Sequence, residues 1–242
     1  MKKKVLAIAL AVALIAIMVS GTLAYFTAED EVTNTFTVGS VLIEIFENNE
    51  ATDKDVIEFT KPLTPVVKDT PSEDESYIHK AVKVKNTGLN AAYIRTHIAI
   101  PTALVNYLIL DVDTTGDWKQ VAVSDATKDG VAYTVYTYDY NNKVDPSTYT
   151  PDLLKGVYLD RTVDIKDNPN TASADLEFCK PNGDGTYTFS GFVAHNKVDG
   201  GYTSNKVNIL VASQAIQAQG FENGATNALD TGFGQGKNPW QQ

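Results

Sequence analysis

The chain has 242 residues, 43% apolar and 21% charged, which supports a packed core and excludes both a disordered tail and a multi-span membrane protein. Thirty acids against 20 bases give a net charge of −10, and this argues against nucleic acid as a partner, because phosphate binding wants clustered Lys and Arg. The lone Cys179 excludes an internal disulfide framework and a multi-Cys zinc site, and three histidines, His79, His97 and His195, leave little material for a metal enzyme.

Lys2, Lys3 and Lys4 precede an unbroken apolar run over residues 5–19, and the small-residue stretch Ser20-Gly21-Thr22-Leu23-Ala24 follows. The run is shorter than the ~20 residues of a spanning helix. This order predicts a cleaved secretory signal peptide over residues 1–25 rather than an uncleaved anchor. A cut after Ala24 puts Thr22 and Ala24 at the small-residue positions; a cut after Tyr25 leaves Phe26 first. Either removes three lysines and no acids, leaving 17 bases against 30 acids and a net charge of −13. An exported acidic chain with one cysteine suits a bacterial surface.

Downstream, the dominant period is two. Residues 36–46 alternate, with Val41, Ile43 and Ile45 on one face, and predict a strand. The stretch 47–75 reads as loops, spaced by Pro62, Pro65 and Pro71. Residues 80–85 and 91–100 flank the turn chemistry of Asn86-Thr87-Gly88-Leu89-Asn90 and predict a β-hairpin. Its second strand puts Ile94, Ile98 and Ile100 on one side and Arg95 and His97 on the other. Residues 102–110, after Pro101, predict one short helix. Next comes a partial imitation of a calcium loop. Asp111 and Asp113 stand at positions 1 and 3, Thr115 at 5 and Gly116 at 6, but Ala122 occupies position 12, so a solvated turn competes with a weak calcium site. Residues 131–140, dense in aromatic and β-branched side chains, predict a strand. Its Tyr136, Tyr138 and Tyr140, with Tyr133 opposite, read as core packing or as a binding platform.

The region 141–182 reads as loops or insertions, with a turn or extended crossover over 152–159. Cys179 sits at a loop start, where Lys180 would lower its pKa, yet one contact makes no active site; a buried or incidental thiol is the expectation. Residues 181–185 predict a turn between strands, 186–195 and 206–213 two further strands, and 213–220 a short helix or an extended continuation. The Gly-rich end is a flexible terminus, or docks Phe233 and Trp240 in a groove. Many short strands with turn signals predict an all-β, jelly-roll-like β-sandwich with loop insertions and short helices. Its expected divisions are a signal peptide (1–25), an N-terminal segment (26–38), the sandwich (39–230) and a Gly-rich tail (231–242).

The segment Gly21-Thr22-Leu23-Ala24-Tyr25-Phe26, the acids Glu29-Asp30-Glu31, then Asn34-Thr35-Phe36, Gly39 and the alternating Val41-Leu42-Ile43-Glu44-Ile45 together resemble the start of the TasA/camelysin family. These are secreted proteins of Gram-positive bacteria cut by the signal peptidase SipW. Val82-Lys83-Val84-Lys85-Asn86-Thr87-Gly88 with Ala92-Tyr93-Ile94-Arg95 resembles the family's first hairpin, and residues 215–221 its closing segment. The resemblance covers the two ends and that hairpin, not 102–185. Tyr25 departs from the small residue commoner before the cut. The resemblance implies a jelly-roll-like domain that polymerises into biofilm-matrix or pilus-like fibres, in the extracellular matrix or at the cell surface. Its partners would be further copies of itself, a SipW-type signal peptidase and accessory matrix proteins. It also implies donation of residues 26–38 as a strand to the next subunit, with Phe26, Val32, Phe36 and Val38 filling pockets; folding back as an edge strand of its own domain is the alternative. No catalytic residue and no cofactor is expected. Camelysin's description as a metalloendopeptidase supplies an alternative, without support here from a His-Glu-x-x-His motif. A monomeric cell-surface binding module is the second alternative.

Overall fold

The computed structural model describes residues 27–30, 41–48, 50–52, 56–57, 63–113, 116–171 and 173–241. The signal peptide with Ala24 and Tyr25, the positions Phe26, Val32, Phe36 and Val38, and Thr115 lie outside them.

Among the described residues the chain is mostly β, in three antiparallel sheets. Its early strands are β1 (Thr27–Asp30), β2 (Ile43–Glu47), β3 (Glu50–Thr52), β4 (Val56–Ile57), β5 (Ile78–Asn86), β6 (Ala92–Pro101) and β7 (Leu108–Val112). Then come β8 (Trp118–Lys128), β9 (Val131–Tyr140), β10 (Leu154–Leu159), β11 (Asp164–Asp167), β12 (Leu176–Pro181), β13 (Tyr187–Val198), β14 (Gly201–Ser204) and β15 (Ile209–Gln217). Among the described residues one α-helix, α1 (Ala225–Phe233), follows.

The six-stranded sheet runs β1-β15-β6-β9-β8, with β4 also on β15; the five-stranded sheet runs β3-β2-β5-β10-β7; the four-stranded sheet runs β11-β12-β13-β14. Alternation decides what each contributes. Ile43 and Ile45 of β2, Val82 and Val84 of β5, and Leu154, Val157 and Leu159 of β10 meet Ile94, Ile98 and Ile100 of β6 and Ile209, Val211 and Ala215 of β15 in one core. Phe178 and Ala194 of the four-stranded sheet join the same core. The strand expected at 131–140 is β9 to the residue. It turns Tyr138 into the core, packs Tyr136 and Tyr140 against it, and places Tyr133 in a separate cluster on the opposite face.

Several expectations change. The two strands flanking Asn86–Asn90 are present but do not pair: β5 lies between β2 and β10, and β6 between β15 and β9. The connection is an arch between sheets. Asn86 builds it, its Nδ2 donating to the carbonyls of Asn90 and Val144 and its Oδ1 accepting from the Gly88 N–H. The short helix expected over 102–110 is a 3-10 helix of three residues (Thr102–Leu104), and β7 begins at Leu108. The region 141–182 is not an insertion of loops, since it carries β10, β11 and β12, and β10 is an interior strand of its sheet. Residues 213–217 stay extended as the end of β15. The tail is not free: Phe233 ends α1, and Trp240 is buried on the sheet surface.

Candidate functional site

All nine residues of β15 are buried. Its odd positions Ile209, Val211 and Ala215 face the sandwich core, and Leu210, Ala212 and Ile216 face two clusters on the outer side. A strand covered on both faces cannot leave its backbone donors and acceptors open without a loss of about 1–3 kcal/mol for each buried group left unsatisfied. One edge of β15 is paired with β6 from Leu210 to Gln217. The other edge is completed in two pieces. Ile57 and Val56 of β4 pair with Ile209 and Leu210, and β1 pairs from Thr27↔Ile216 to Asp30↔Ser213. This edge is therefore an acceptor slot, filled within the chain by four residues from its N-terminal part. The alternative drawn from the sequence, folding back as an edge strand, is the arrangement these four residues have within one chain.

The slot sits on a sheet locked from outside. Arg95 of β6, wholly buried, donates from Nε and Nη2 to both carboxylate oxygens of the equally buried Asp139 on β9, at 2.7 and 3.0 Å. Its Nη2 also reaches Asp230 of α1 at 2.7 Å, and its Nη1 the Gly234 carbonyl at 3.2 Å. Burial works against the charged guanidinium, but Asp139 and Asp230 outweigh it and hold the pKa above the usual value. Two residues along, His97 lies within 3.0 Å of Thr137 Oγ1 and of Gln214 Oε1, and its ring meets Trp240 edge-on at 6.3 Å. Burial is the main reason its pKa falls to about 4; the hydrogen bond to Gln214 Oε1 opposes this and the Arg95 charge adds to it. The polar face of β6 was legible as Arg95 and His97. That α1 and the tail cover it was not, because the covering residues lie more than a hundred positions downstream.

The three histidines do not converge: His79 is on β5 beside Tyr77, His97 lies on the outer side of β6, and His195 on β13 contacts Ser204 Oγ. Asp111 is a strand residue accepting from Tyr77 Oη at 2.7 Å, and Asp113 pairs with Lys155 at 3.3 Å. Among the described residues no group of three or more His, Cys, Asp or Glu side chains is placed to hold a metal. Cys179 is in mid-β12, not in a loop, and is wholly buried. Its pKa is pushed up, chiefly by burial, and Lys180 points instead at Asp160. The tyrosine-rich strand offers no flat outer platform, since Tyr136, Tyr138 and Tyr140 turn inward.

Comparison with protein-family models, with curated proteins and with solved structures finds no match to this chain.

Proposed function

We propose that the chain is a secreted structural protein that polymerises into extracellular fibres by donating its N-terminal strand to the β15 edge of the next copy. The observation that carries this reading is the acceptor slot: a strand buried on both faces, whose open edge is closed over Ser213–Ile216 by a short strand from the N-terminal part. Contacts made within one chain are available between copies at little cost, because the exchanged element is identical. An incoming strand supplies the same ladder bonds, and alternate side-chain pockets give register. We further infer a jelly-roll winding. The partial orders β1-β15-β6-β9 and β5-β10-β7, with the chain passing from β5 to β6 to β7 between facing sheets, support it. The place of β8 beside β9 departs from that scheme. Export through a signal peptide over residues 1–25, cut beside Ala24 or Tyr25, belongs to the same reading, as does a role without catalysis.

The test is deletion of residues 26–38 from the exported chain. Electron microscopy of the purified parent at rising concentration is expected to show regular filaments, and the deletion is expected to abolish them while circular dichroism retains the β signature. Unchanged filaments in the deletion would overturn strand donation.

A further inference from the structure

The outer face of the six-stranded sheet carries a second slot. Ala99 of β6, Ala126 of β8, Tyr133 and Val135 of β9, and Leu210 and Ala212 of β15 form a cluster closed by Trp240. Three alanines leave room for the indole, which is 6% exposed. Asn238 fixes the approach: its Nδ2 donates to Ser124 Oγ at 2.9 Å, and its Oδ1 accepts from the Trp240 N–H at 3.0 Å. Gln241 Nε2 reaches the Asp125 carbonyl at 3.4 Å. These contacts read an Asn-Pro-Trp peptide.

The strap that delivers the peptide is held at one end by Arg95 on the Gly234 carbonyl and at the other by the Asn238 and Gln241 contacts. Gly234 and Gly236 stand at φ 87° and 68°, a backbone region that favours glycine. Between them and Asn238, Gln235 and Lys237 are exposed. Gln235 and Gly236 border a cleft of about 230 Å³ shared with Lys119, Gln120, Thr226 and Asp230. The strap ends over β8, the outer strand of the sheet and the edge opposite the β1 slot. Residues 231–242 hold one lysine and no acid, in a chain of net charge −10, so an acidic neighbour attracts the strap while the bodies repel.

We propose that this slot is an exchangeable socket, and that its occupant in the assembled protein is the segment 235–241 of a second copy docking across the β8 edge. The six peptide steps from Gly234 to Trp240 span at most about 20 Å, so the donor has to abut that edge. Within one chain the tethered tail competes at an effective concentration in the millimolar range, so the socket is self-filled in dilute solution and exchanges when copies are held side by side. This junction is separate from strand donation and does not rest on it.

The test uses full-length variants. Trp240→Ala with Asn238→Ala empties the socket, and a synthetic peptide of residues 235–242 is titrated into it. Saturable binding is expected, at least tenfold tighter than to the parent, whose own tail competes; absence of binding to the folded variant, or equal binding to both, overturns the proposal. A second arm mixes Trp240→Ala, with an open socket and no plug, and Ala126→Leu, with a filled socket and an intact plug. Association specific to the mixture, read by analytical ultracentrifugation, is expected. Both variants keep β1, so strand exchange is common to each alone and to the mixture; no gain on mixing refutes exchange between copies.

Discussion

Replacing Arg95 by Met is expected to be among the costliest single changes in this chain. Arg95 and Asp139 are both 0% exposed and joined by two hydrogen bonds, so removing the guanidinium strands a carboxylate where water does not reach. Breaking a buried pair in this way costs about 3–5 kcal/mol. Asp230, with a side chain 28% exposed, turns to solvent and adds little, but α1 loses its ionic anchor. For a domain of this size the loss corresponds to a fall in Tm of about 8–15 °C. Arg95→Met combined with Asp139→Leu removes both charges and keeps the volume apolar; it is expected to recover most of the loss, because a buried ion pair and a well-packed apolar pair are close in free energy. The assay is urea unfolding followed by circular dichroism, with fluorescence reporting on the buried Trp118 and Trp240. A single variant within about 1 kcal/mol of the parent, or a double variant no more stable than the single, would refute the account of a desolvated charge.

Gly156→Ala is expected to destabilise by about 1–3 kcal/mol, because the added Cβ falls 2.2–2.4 Å from the Tyr77 ring, itself buried and bonded to Asp111; denaturant midpoints of this variant and of its combination with Tyr77→Leu, which should relieve the clash, check it. Acidification is expected to weaken the fold in two windows. His97 is held at about 4 against an ordinary 6.5, so the unfolded chain takes up a proton first and roughly 3 kcal/mol is lost as pH falls from 6.5 to 4; His97→Gln should flatten that slope, and an unchanged slope would exclude His97 as its source. Asp74, held near 2 by the N–H groups of Ser76, Lys68 and Val67, loses its contribution as pH falls from 3.8 towards 2, and Asp74→Asn should shrink this second phase, which the lowered carboxyls of Asp160, Asp164 and Asp184 share. Cys179 is expected to resist a thiol reagent until the protein unfolds, and labelling of the native protein at the rate of a free thiol would contradict its burial.

Alternation made the strand faces legible and left their partners obscure. β9 was readable because ten residues of aromatic and β-branched side chains carry one pattern without interruption. The faces of β6 were equally readable, with Ile94, Ile98 and Ile100 opposite Arg95 and His97, but the local sequence says nothing of which strand lies alongside. Asn86–Asn90 has the chemistry of a hairpin turn and makes an arch, since both flanking strands have their two edges taken by others. β8 is not legible because its register shifts between Gln120 and Ala122 and nine of its eleven residues are half-buried or exposed, as suits a sheet edge. α1 escaped because nine residues with Thr, Asn and Gly make a weak helical signal, and it is held by Arg95 from β6 rather than by its own propensity. The β15 slot exists only in three dimensions: residues 27–30 and 213–216 are linked by nothing in the sequence except chain reversal in space.

That separation has a kinetic side. A chain that emerges N-terminus first presents β1 at once, but β15 arrives only after some 180 further residues have left the exit, as the pairing of Thr27 with Ile216 requires. Every pairing on β15 is long-range, and loop closure on this scale makes its formation slow relative to the hairpins β8–β9 and β12–β13, which form from neighbouring residues. The early strand therefore waits with unmet backbone groups while its own acceptor is still absent. Under the strand donation proposed above, a nearby molecule that has already folded would compete for the same strand during that interval, so local protein concentration, rather than affinity alone, would set how often a nascent strand closes on itself.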